Sequence, residues 1–547
     1  MQNRNMMMYI KKVKYLLICL MLVMTAVDVN AQQEDSDIKF DDVKVIKEFN
    51  ADLRDFNKIN IDPVLPVFDL ASRKFKYQVR AIPARLEYEK PSIRPLALKP
   101  EVREAPNKYY LKLGYGMPKF LRTGFALSYK KHNTDAGFSA HYLSADDSEN
   151  VKDKRNASAG LAFTFFSRDN GKELQYGANA WLDADYLYLY AVEANKDSAY
   201  TSSQNKRRLL RGDIKMTVKK DELLESLSNE LELRYSFLQL NTNESMENNI
   251  FIKNTLSYTV SDNVYWDLPF YLDYLVSNGQ YAGGIKPAFI FKSRLVNMRL
   301  GAELGKTSED GYLKPYGELS ANLFHNFLEI FTCVDNRIFN NSEFVMTAVN
   351  PFLDFDNDST KTSLITSYAA GVRSSLEGIR LEAKAVYQRF DNKLLFDISP
   401  GDPRTFVPLY DDGHNIMFVF NGSYDLLPEV KVGATVTKNF YKMDNEEKAW
   451  YTPDFTANFT TSVSMLNDRM HFKGELYFAS QSWYRKLDGK KYKLDPVFDI
   501  SGELRYRLFK HSYLFGEVNN IFAQKYQRWY QYPVYGLNIL GGIEIGF

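Results

Sequence analysis

The ten residues 121–130 read LRTGFALSYK, and they alternate between large apolar side chains and small or charged ones. Successive side chains of an extended strand point to opposite faces, so Leu121 and Phe125 would lie on one face and Arg122 and Lys130 on the other. The same alternation recurs further along the chain, in residues 230–237, 380–388 and 500–508. This period of two predicts an all-β protein whose sheet has one apolar face and one charged face.

Two features favour a transmembrane barrel over a soluble β-sandwich, which would also alternate. The second face carries arginine, glutamate and lysine in quantity, and aromatic residues recur at the strand ends, as in the aromatic girdles of membrane barrels. Lipid accepts only structures that satisfy every backbone hydrogen bond, and a closed barrel does so. The sequence therefore predicts a transmembrane antiparallel β-barrel in the bacterial cell outer membrane.

The number and spacing of the predicted strands fit such a barrel. From Tyr109 onward we count 22 strands, and the last of them is Leu537 to Phe547. Short turns alternate with longer connections, which include residues 144–155, 192–205, 336–361, 391–414 and 481–496. Short turns belong to the periplasmic side and long loops to the outer side. An even number of strands places both ends of the barrel on the periplasmic side.

The composition excludes several other classes of protein. Among 547 residues, 69 Lys and Arg balance 68 Asp and Glu, which leaves no basic surface for nucleic acid. Two cysteines cannot build a disulfide scaffold. A mean hydropathy of −0.37 is too polar for a bundle of membrane helices, and the 45% of hydrophobic residues argues against disorder.

The first 106 residues differ from the remainder and predict two segments ahead of a barrel domain at residues 107–547. Residues 1–31 have the pattern of a signal peptide, because lysines precede an apolar run that ends in a small-residue cleavage site at Ala31. Residues 32–106 hold seven of the 19 prolines, which lack the N–H that a sheet requires. This segment is predicted to be an extended arm, which is periplasmic or inserted into the barrel lumen.

No constellation of residues in the sequence points to catalysis or to a bound cofactor or metal, so we do not expect an enzyme. The six histidines are scattered, with no pair four residues apart. Cys333 is expected to be a buried or lipid-facing thiol. Residues 354–358, DFDND, have acidic residues at the spacing that Ca²⁺ favours, but the turn glycine and the final glutamate of such loops are missing. We expect a solvated acidic loop there.

The charged face is the best candidate for a functional feature. Eleven of its residues are predicted to line the lumen: Arg122, Glu232, Arg234, Arg299, Glu303, Arg380, Glu382, Lys384, Glu503, Arg505 and Arg507. As a channel lining, their mixed charges would favour a hydrated path for polar solutes. As a structural feature, they would cross-link strands and bind the inserted arm. The close alternation of both signs favours the structural role slightly.

The last predicted strand carries a recognition feature. Its alternate residues are apolar and share one face, and the chain ends on the aromatic Phe547. This pattern looks like the terminal signal that the outer-membrane assembly machinery reads in its substrates.

The segment Leu514–Phe547 resembles the C-terminal hairpin of TonB-dependent receptors. The matching residues are LFGEVNNIF at 514–522, Lys525-Tyr526, Tyr532-Pro533 and the closing strand. The resemblance implies a barrel of 22 strands, which in that family surrounds a folded plug. Residues 32–106 are shorter than such a plug, are rich in proline and contain no clear TonB box, so the chain looks like a plugless barrel of the Bacteroidota type. Such barrels serve as transporters or as subunits of larger outer-membrane assemblies.

These features together predict an outer-membrane barrel that passes or binds a polar solute. The alternative is a non-transporting scaffold, whose outer loops bind surface lipoproteins and whose arm binds a periplasmic partner. In either case the expected partners include outer-membrane lipid and, during biogenesis, the outer-membrane assembly machinery. Nucleic acid is not an expected partner.

Overall fold

A computed structural model describes residues 108–547, apart from residues 170, 172, 194–201, 225, 242–245, 324–326, 355–359 and 377. The chain divides into two units, Met1–Ala97 and Leu98–Phe547, and every described residue belongs to the second. The predicted signal peptide at 1–31 and the predicted arm at 32–106 lie outside the described residues. These two segments, and the boundary at residue 107, stay predictions.

The described residues form one antiparallel sheet of 22 strands, which closes into a barrel. Its first half comprises β1 (Tyr109–Met117), β2 (Phe120–Lys131), β3 (Thr134–Asp146), β4 (Arg155–Asp169), β5 (Leu174–Tyr188), β6 (Lys206–Leu224), β7 (Leu227–Leu240), β8 (Met246–Ser261), β9 (Val264–Leu275), β10 (Gln280–Ile285 and Ala288–Lys292) and β11 (Val296–Thr307). Its second half comprises β12 (Gly311–Leu323), β13 (Leu328–Asn340), β14 (Thr362–Leu376), β15 (Ile379–Ile398), β16 (Phe406–Leu427), β17 (Val430–Met443), β18 (Phe455–Met465), β19 (Met470–Ala479), β20 (Val497–Phe509), β21 (Ser512–Asn519) and β22 (Asn538–Gly546). The all-β fold and the predicted number of strands are confirmed.

Strand β10 is written as two segments because it is interrupted at Lys286 and Pro287. Both segments pair with β9 on one side and with β11 on the other, so together they make one strand of the ring. Pro287 has no N–H with which to continue the ladder. The interruption therefore follows from the sequence at this point.

The connections contain a few small elements of their own. They are the short helices Ser202–Asn205 and Glu343–Val349, and two small hairpins that pair Trp483–Arg485 with Lys491–Lys493 and Gln527–Trp529 with Tyr532–Pro533. Ser342 caps the longer helix, because its Oγ accepts a hydrogen bond from Val345 N at 3.3 Å. Within the described residues, no helix has the length and apolar character needed to cross a membrane.

The long connections all lie at one end of the barrel, as the sequence predicts. At the end that carries Tyr109 and Gly546, the turns between strands have two to four residues. At the other end, the β13–β14 loop spans residues 341–361 and the β21–β22 loop spans 520–537. Long loops mark the outer side and short turns the periplasmic side. Both ends of the barrel therefore face the periplasm.

The predicted loop at 391–414 is wrong. Strand β15 continues to Ile398 and β16 begins at Phe406, so only residues 399–405 connect them. These strands have 20 and 22 residues, about twice what a bilayer requires. Beyond the lipid a strand does not need an apolar outer face, so the alternation that reveals strands in the sequence fades there.

One face of the sheet forms an apolar belt around the barrel. Large side chains of this face are exposed to the surroundings, among them Leu113, Leu161, Leu300, Phe418, Leu504 and Ile543. A closed barrel with such a belt makes all its backbone hydrogen bonds internally and presents an apolar surface to the lipid chains. The protein is therefore an integral protein of the bacterial outer membrane, in contact with its lipid.

The ring closes where β1 pairs with β22. Eight residue pairs join the two strands, from Tyr110 opposite Gly546 to Met117 opposite Ile539. The end of the ladder is held by two backbone hydrogen bonds between Tyr109 and Phe547, at 2.8 and 3.0 Å. The phenyl ring of Phe547 also contacts the Tyr109 ring, with 5.3 Å between centroids.

Gly542→Ala is expected to weaken this closure. A Cβ at Gly542 would lie 2.0 Å from the carbonyl oxygen of Leu113 and 2.7 Å from Cα of Gly114. Both are backbone atoms of β1, so β22 must move away from β1, at a cost of about 1–3 kcal/mol. The measurement is the folded fraction during denaturant unfolding in detergent micelles. Gly516→Ala on β21 is the matched control, since a Cβ there meets nothing within 4 Å; equal loss in both variants would contradict the prediction.

Candidate functional site: the barrel interior and its loop cap

The charged face is the concave side of the sheet. Arg122 on β2 and Glu517 on β21 are separated by β1 and β22, yet their side chains make an ion pair of 2.6 Å. Neighbouring strands are spaced about 4.8 Å apart, so these backbones are roughly 14 Å apart along the sheet. Side chains can bridge such a distance only on the inside of a curve. The charged face therefore surrounds the barrel interior.

A first group of interior charges lies behind the closure of the ring. Lys112 Nζ is 2.9 Å from Glu517 Oε1 and 3.1 Å from Glu544 Oε1. Arg505 also pairs with Glu544. The carboxylates of Glu517 and Glu544 are nearly buried and are satisfied by cations from two or more strands. This group cross-links β1, β2, β20, β21 and β22.

A second group centres on Arg373 of β14. Its guanidinium lies 3.0 Å from Glu318 and 3.0 Å from Glu382, and 3.5 Å from Glu329. Lys384 pairs with the same Glu382 at 2.7 Å. One arginine thus joins carboxylates on β12, β13 and β15.

The other predicted residues lie on the same face in smaller groups. Glu232 pairs with Lys215 at 3.0 Å, Arg234 with Asp213, and Arg299 with Asp267 at 2.8 Å. Arg380 donates to Ser423 Oγ, Arg507 to the Asn467 carbonyl, and Glu503 lies 4.0 Å from Arg505. The eleven predicted residues therefore do not converge on one site. Their role in function stays a prediction.

Glu303 on β11 is the most deeply buried of the predicted residues, with none of its surface exposed. Lys286 Nζ lies 2.9 Å from Oε2, and the hydroxyls of Tyr271 and Tyr312 donate to Oε1 at 2.5 and 3.0 Å. The two hydroxyls are 2.7 Å apart. Lys286 reaches Glu303 from the interruption of β10. The sequence signal for this site is Pro287, which interrupts the strand next to Lys286.

The outer ends of five hairpins, four of them through their loops and β15–β16 through its strand ends, pack together into an apolar core, which we call the loop cap. Its buried residues are Leu189, Ala191, Met346, Leu353, Phe396, Ile398, Phe406, Tyr484, Leu494, Trp529, Tyr530 and Tyr532. Phe352, in the β13–β14 loop, stacks on Tyr532, in the β21–β22 loop, with 3.6 Å between ring centroids. The strands that carry these two loops stand well apart around the ring. The loops therefore meet over the lumen and cover it.

A buried polar network ties the loops of the cap together. The guanidinium of Arg404 donates to Asp402 at 2.6 Å and to Asn205 Oδ1 at 2.5 Å. Asn205 in turn donates to Asp153 at 2.8 Å, and the hydroxyl of Tyr532 donates to the Arg404 carbonyl at 2.5 Å. We call this set the Arg404 network. It joins four loops through charge-assisted hydrogen bonds, which make burial of the charges tolerable.

The sequence did not predict the cap. The resemblance of Leu514–Phe547 to a C-terminal hairpin implies a strand, a turn and a final strand, whereas residues 520–537 form a loop that contains its own small hairpin. Five aromatic residues lie in this loop from Tyr526 to Tyr535. The density of tyrosine and tryptophan in WYQYPVY at 529–535 was the available signal. It gave no indication of which other loops these rings contact.

Alkaline pH is expected to open the loop cap. Burial raises the pKa of Tyr484 to about 12, and it raises the pKa of Tyr190, Tyr530 and Tyr532 above the ordinary value of 10.0. Below pH 10 these phenols are neutral in both the packed and the released loops, so their stabilisation is complete. Above pH 10 the released phenols ionise first, and the stabilisation falls as the pH rises towards 12.

The measurement is limited proteolysis of the cap loops as a function of pH, with tyrosinate absorbance recorded in parallel. Cleavage should increase above pH 10 while the barrel keeps its β-type circular dichroism. Cleavage that increases only below neutral pH would contradict the role of the buried phenols.

The remaining candidates for chemistry are placed as follows. Cys333 is half-buried on β13, directly opposite Glu318. It therefore lies on the charged face of the sheet, and the expectation of a lipid-facing thiol is wrong. Most of the acidic segment 354–358 lies outside the described residues. Among the residues that are described, no group of three or more His, Cys, Asp and Glu side chains is arranged to hold a metal ion.

Comparison with known proteins identifies the fold. No protein-family model matches the chain, and no curated protein sequence matches it significantly. Among solved structures, the FrpB iron transporter of Neisseria meningitidis is similar with a TM-score of 0.63 and 9% identity, over 81% of this chain and 82% of that one. The pyoverdine outer membrane receptor of Pseudomonas aeruginosa gives 0.60 and 11%, over 81% and 79%. The ferric enterobactin receptor of the same organism gives 0.60 and 11%, over 81% and 81%.

These similarities concern the fold. The barrel is of the type found in outer-membrane receptors, which confirms the barrel that the C-terminal resemblance to TonB-dependent receptors implied. At 9–11% identity, the ligands of those receptors do not transfer to this chain.

Proposed function

We propose that this barrel passes a polar solute through its interior or binds one there. The observation that supports it is an interior cavity of about 610 Å³ between β2 and the strands β15–β21. Its lining carries four basic and four acidic residues: Arg122, Arg380, Lys431, Lys473, Asp425, Glu475, Glu503 and Glu517. The similar solved structures are receptors and a transporter of solutes, which is consistent with this class of function.

Several of these charges are available to a solute. Within the described part of the chain, Lys431 and Lys473 have no carboxylate at ion-pair distance, and Asp425 and Glu475 have no cation at that distance. Thr460, Thr461 and Ser462 also line the cavity. Charges that are not consumed in cross-links remain hydrated, so the cavity favours polar and charged molecules over apolar ones.

A scaffold without transport is the second candidate, and the loop cap favours it. The cap covers the lumen and fixes the conformation of the outer ends of five hairpins, which is what a binding surface for surface lipoproteins needs. Residues 32–106 would then bind a periplasmic partner. For either candidate we also propose that the chain has no folded plug and that Phe547 is the signal for the assembly machinery.

The test is the conductance of the purified mature protein in planar bilayers, for the whole mature chain and for a chain that lacks residues 32–106. Both are measured again with Arg404→Ala, which is designed to release the cap. Conductance that appears on deletion or on release of the cap supports solute passage. A barrel that stays closed in all four proteins overturns passage and favours the scaffold.

A further inference from the structure

The upper part of β13 leaves the wall of the barrel and crosses its inner surface. Pairing between β12 and β13 ends at Gly317 and Val334, although β13 continues to Asn340. Beyond that point Asn340 Nδ2 donates to the carbonyl of Asp273 on β9 at 3.2 Å, and Lys286 Nζ approaches the Asn336 carbonyl at 3.3 Å. Strand β13 therefore bypasses β11 and β12 on their inner side.

A cavity of about 530 Å³ lies between this part of β13 and the wall, and we call it the β13 pocket. Its volume is within the range of about 300–1,000 Å³ that is usual for small-molecule sites. The residues that matter below are Phe251, Lys253, Arg299, Asn336, Arg337 and Phe339, all of which line it. The pocket is separate from the 610 Å³ cavity described above.

The β13 pocket carries one positive charge without a partner. Arg299 pairs with Asp267, Arg337 with Asp335, and Lys286 with the buried Glu303. Lys253 is exposed, and among the described residues no carboxylate lies at ion-pair distance from it. Glu232, which is opposite Lys253 on the neighbouring strand, pairs with Lys215 at 3.0 Å. The side chains of Arg299 and Arg337, which line the same pocket, are 47% and 69% exposed. This concentration of cations suits an anionic group.

The same pocket offers an acceptor that needs a donor. Asn336 is 2% exposed, and its Oδ1 is buried without a hydrogen-bond partner. Its Nδ2 donates to the Pro315 carbonyl at 3.0 Å, which fixes the orientation of the amide. A buried acceptor without a donor is costly, and a ligand hydroxyl would remove that cost. The phenyl rings of Phe251 and Phe339 supply flat apolar surface nearby.

We propose that the β13 pocket binds a small hydroxylated organic anion whose ring has an apolar face, of which a sugar acid is an example. Lys253, with the exposed edges of Arg299 and Arg337, holds the carboxylate. A hydroxyl donates to Asn336 Oδ1, and the face of the ring packs on the phenyl rings. This inference rests on the proposed solute function and specifies the class of solute.

The test is isothermal titration calorimetry of the full mature chain in detergent, with glucuronate, glucose and acetate as probes. Glucose has the ring and hydroxyls without the charge, and acetate has the charge without the ring. We expect glucuronate to bind about tenfold more tightly than either. Lys253→Gln should weaken glucuronate binding about tenfold, and Lys253→Arg should retain it. Lys292→Gln removes the same charge at the far end of β10, outside the pocket, and should change the affinity less than twofold.

Three results would each overturn the proposed anion site: equal affinity for glucuronate and glucose, no binding of glucuronate, or undiminished binding of glucuronate by Lys253→Gln. The readout is independent of conductance. If glucuronate binds and the barrel never conducts, the proposed anion site is supported and the proposed passage of solute is rejected. If the barrel conducts and glucuronate does not bind, the proposed passage of solute is supported and the proposed anion site is rejected.

Discussion

Arg404→Ala is expected to loosen the loop cap and to leave the barrel folded. The substitution removes the cation that neutralises Asp402 and the donor that satisfies Asn205 Oδ1, both at the centre of the cap. Removing one partner of a buried ion pair costs about 3–5 kcal/mol, and because Asp402 is a quarter exposed we expect the lower end of that range. The strands of the barrel pair independently of this network, so they should not respond.

The measurement is amide hydrogen exchange in the cap loops, which should become about a hundredfold faster for a loss of about 3 kcal/mol. Arg528→Ala is the matched control, because Arg528 is an exposed arginine of the same β21–β22 loop. Unchanged exchange in Arg404→Ala, or an equal increase in Arg528→Ala, would show that the aromatic packing holds the cap without the network.

This variant also connects the cap to function. The lumen carries unpaired charges suited to polar solutes, yet the loop cap covers the outer opening. If solute passes through the barrel, the cap must open, and Arg404→Ala should raise both conductance and sensitivity of cells to polar antibiotics. If the protein is a scaffold, the same variant should instead weaken binding of its partners, because the loops lose their fixed arrangement.

Lys286→Met is expected to destabilise the barrel itself. Methionine approximates the length of lysine without its charge, so Glu303 would keep full burial and lose its only ion-pair partner within the described residues. An uncompensated buried charge costs about 3–5 kcal/mol. The hydroxyls of Tyr271 and Tyr312 would still donate to Glu303 and moderate the loss. The measurement is the free energy of unfolding in denaturant, in detergent micelles.

Two further variants separate the effect of an unpaired buried charge on stability from the effect of losing a lysine. Adding Glu303→Gln to Lys286→Met removes the unpaired charge, and it should recover most of the lost stability. Lys292→Met, at the exposed end of the same strand, should change the stability by less than about 0.5 kcal/mol. A double variant that is less stable than Lys286→Met would contradict the role assigned to the charge.

The sequence predicted the barrel, but it did not predict which charged residues pair inside it. The alternation assigns Arg122, Glu232 and Glu382 to the charged face because the strand period of two is a local property. Their partners were not predicted, because an alternating strand does not specify which distant strand curves towards it. The loop at 391–414 was wrong for a related reason, since strands outside the lipid lose the alternation on which the prediction relied.

By itself, the sequence determined how many strands form, which side chains face lipid and which side carries the long loops. Each of these depends on residues within about ten positions of one another. The tertiary structure alone decided which charges pair, that β13 folds inward, and that the outer ends of five hairpins close over the lumen. Lys112 and Glu517 are 405 residues apart and become neighbours only when the ring closes. Such contacts arise from closure and curvature, and no short stretch of sequence records them.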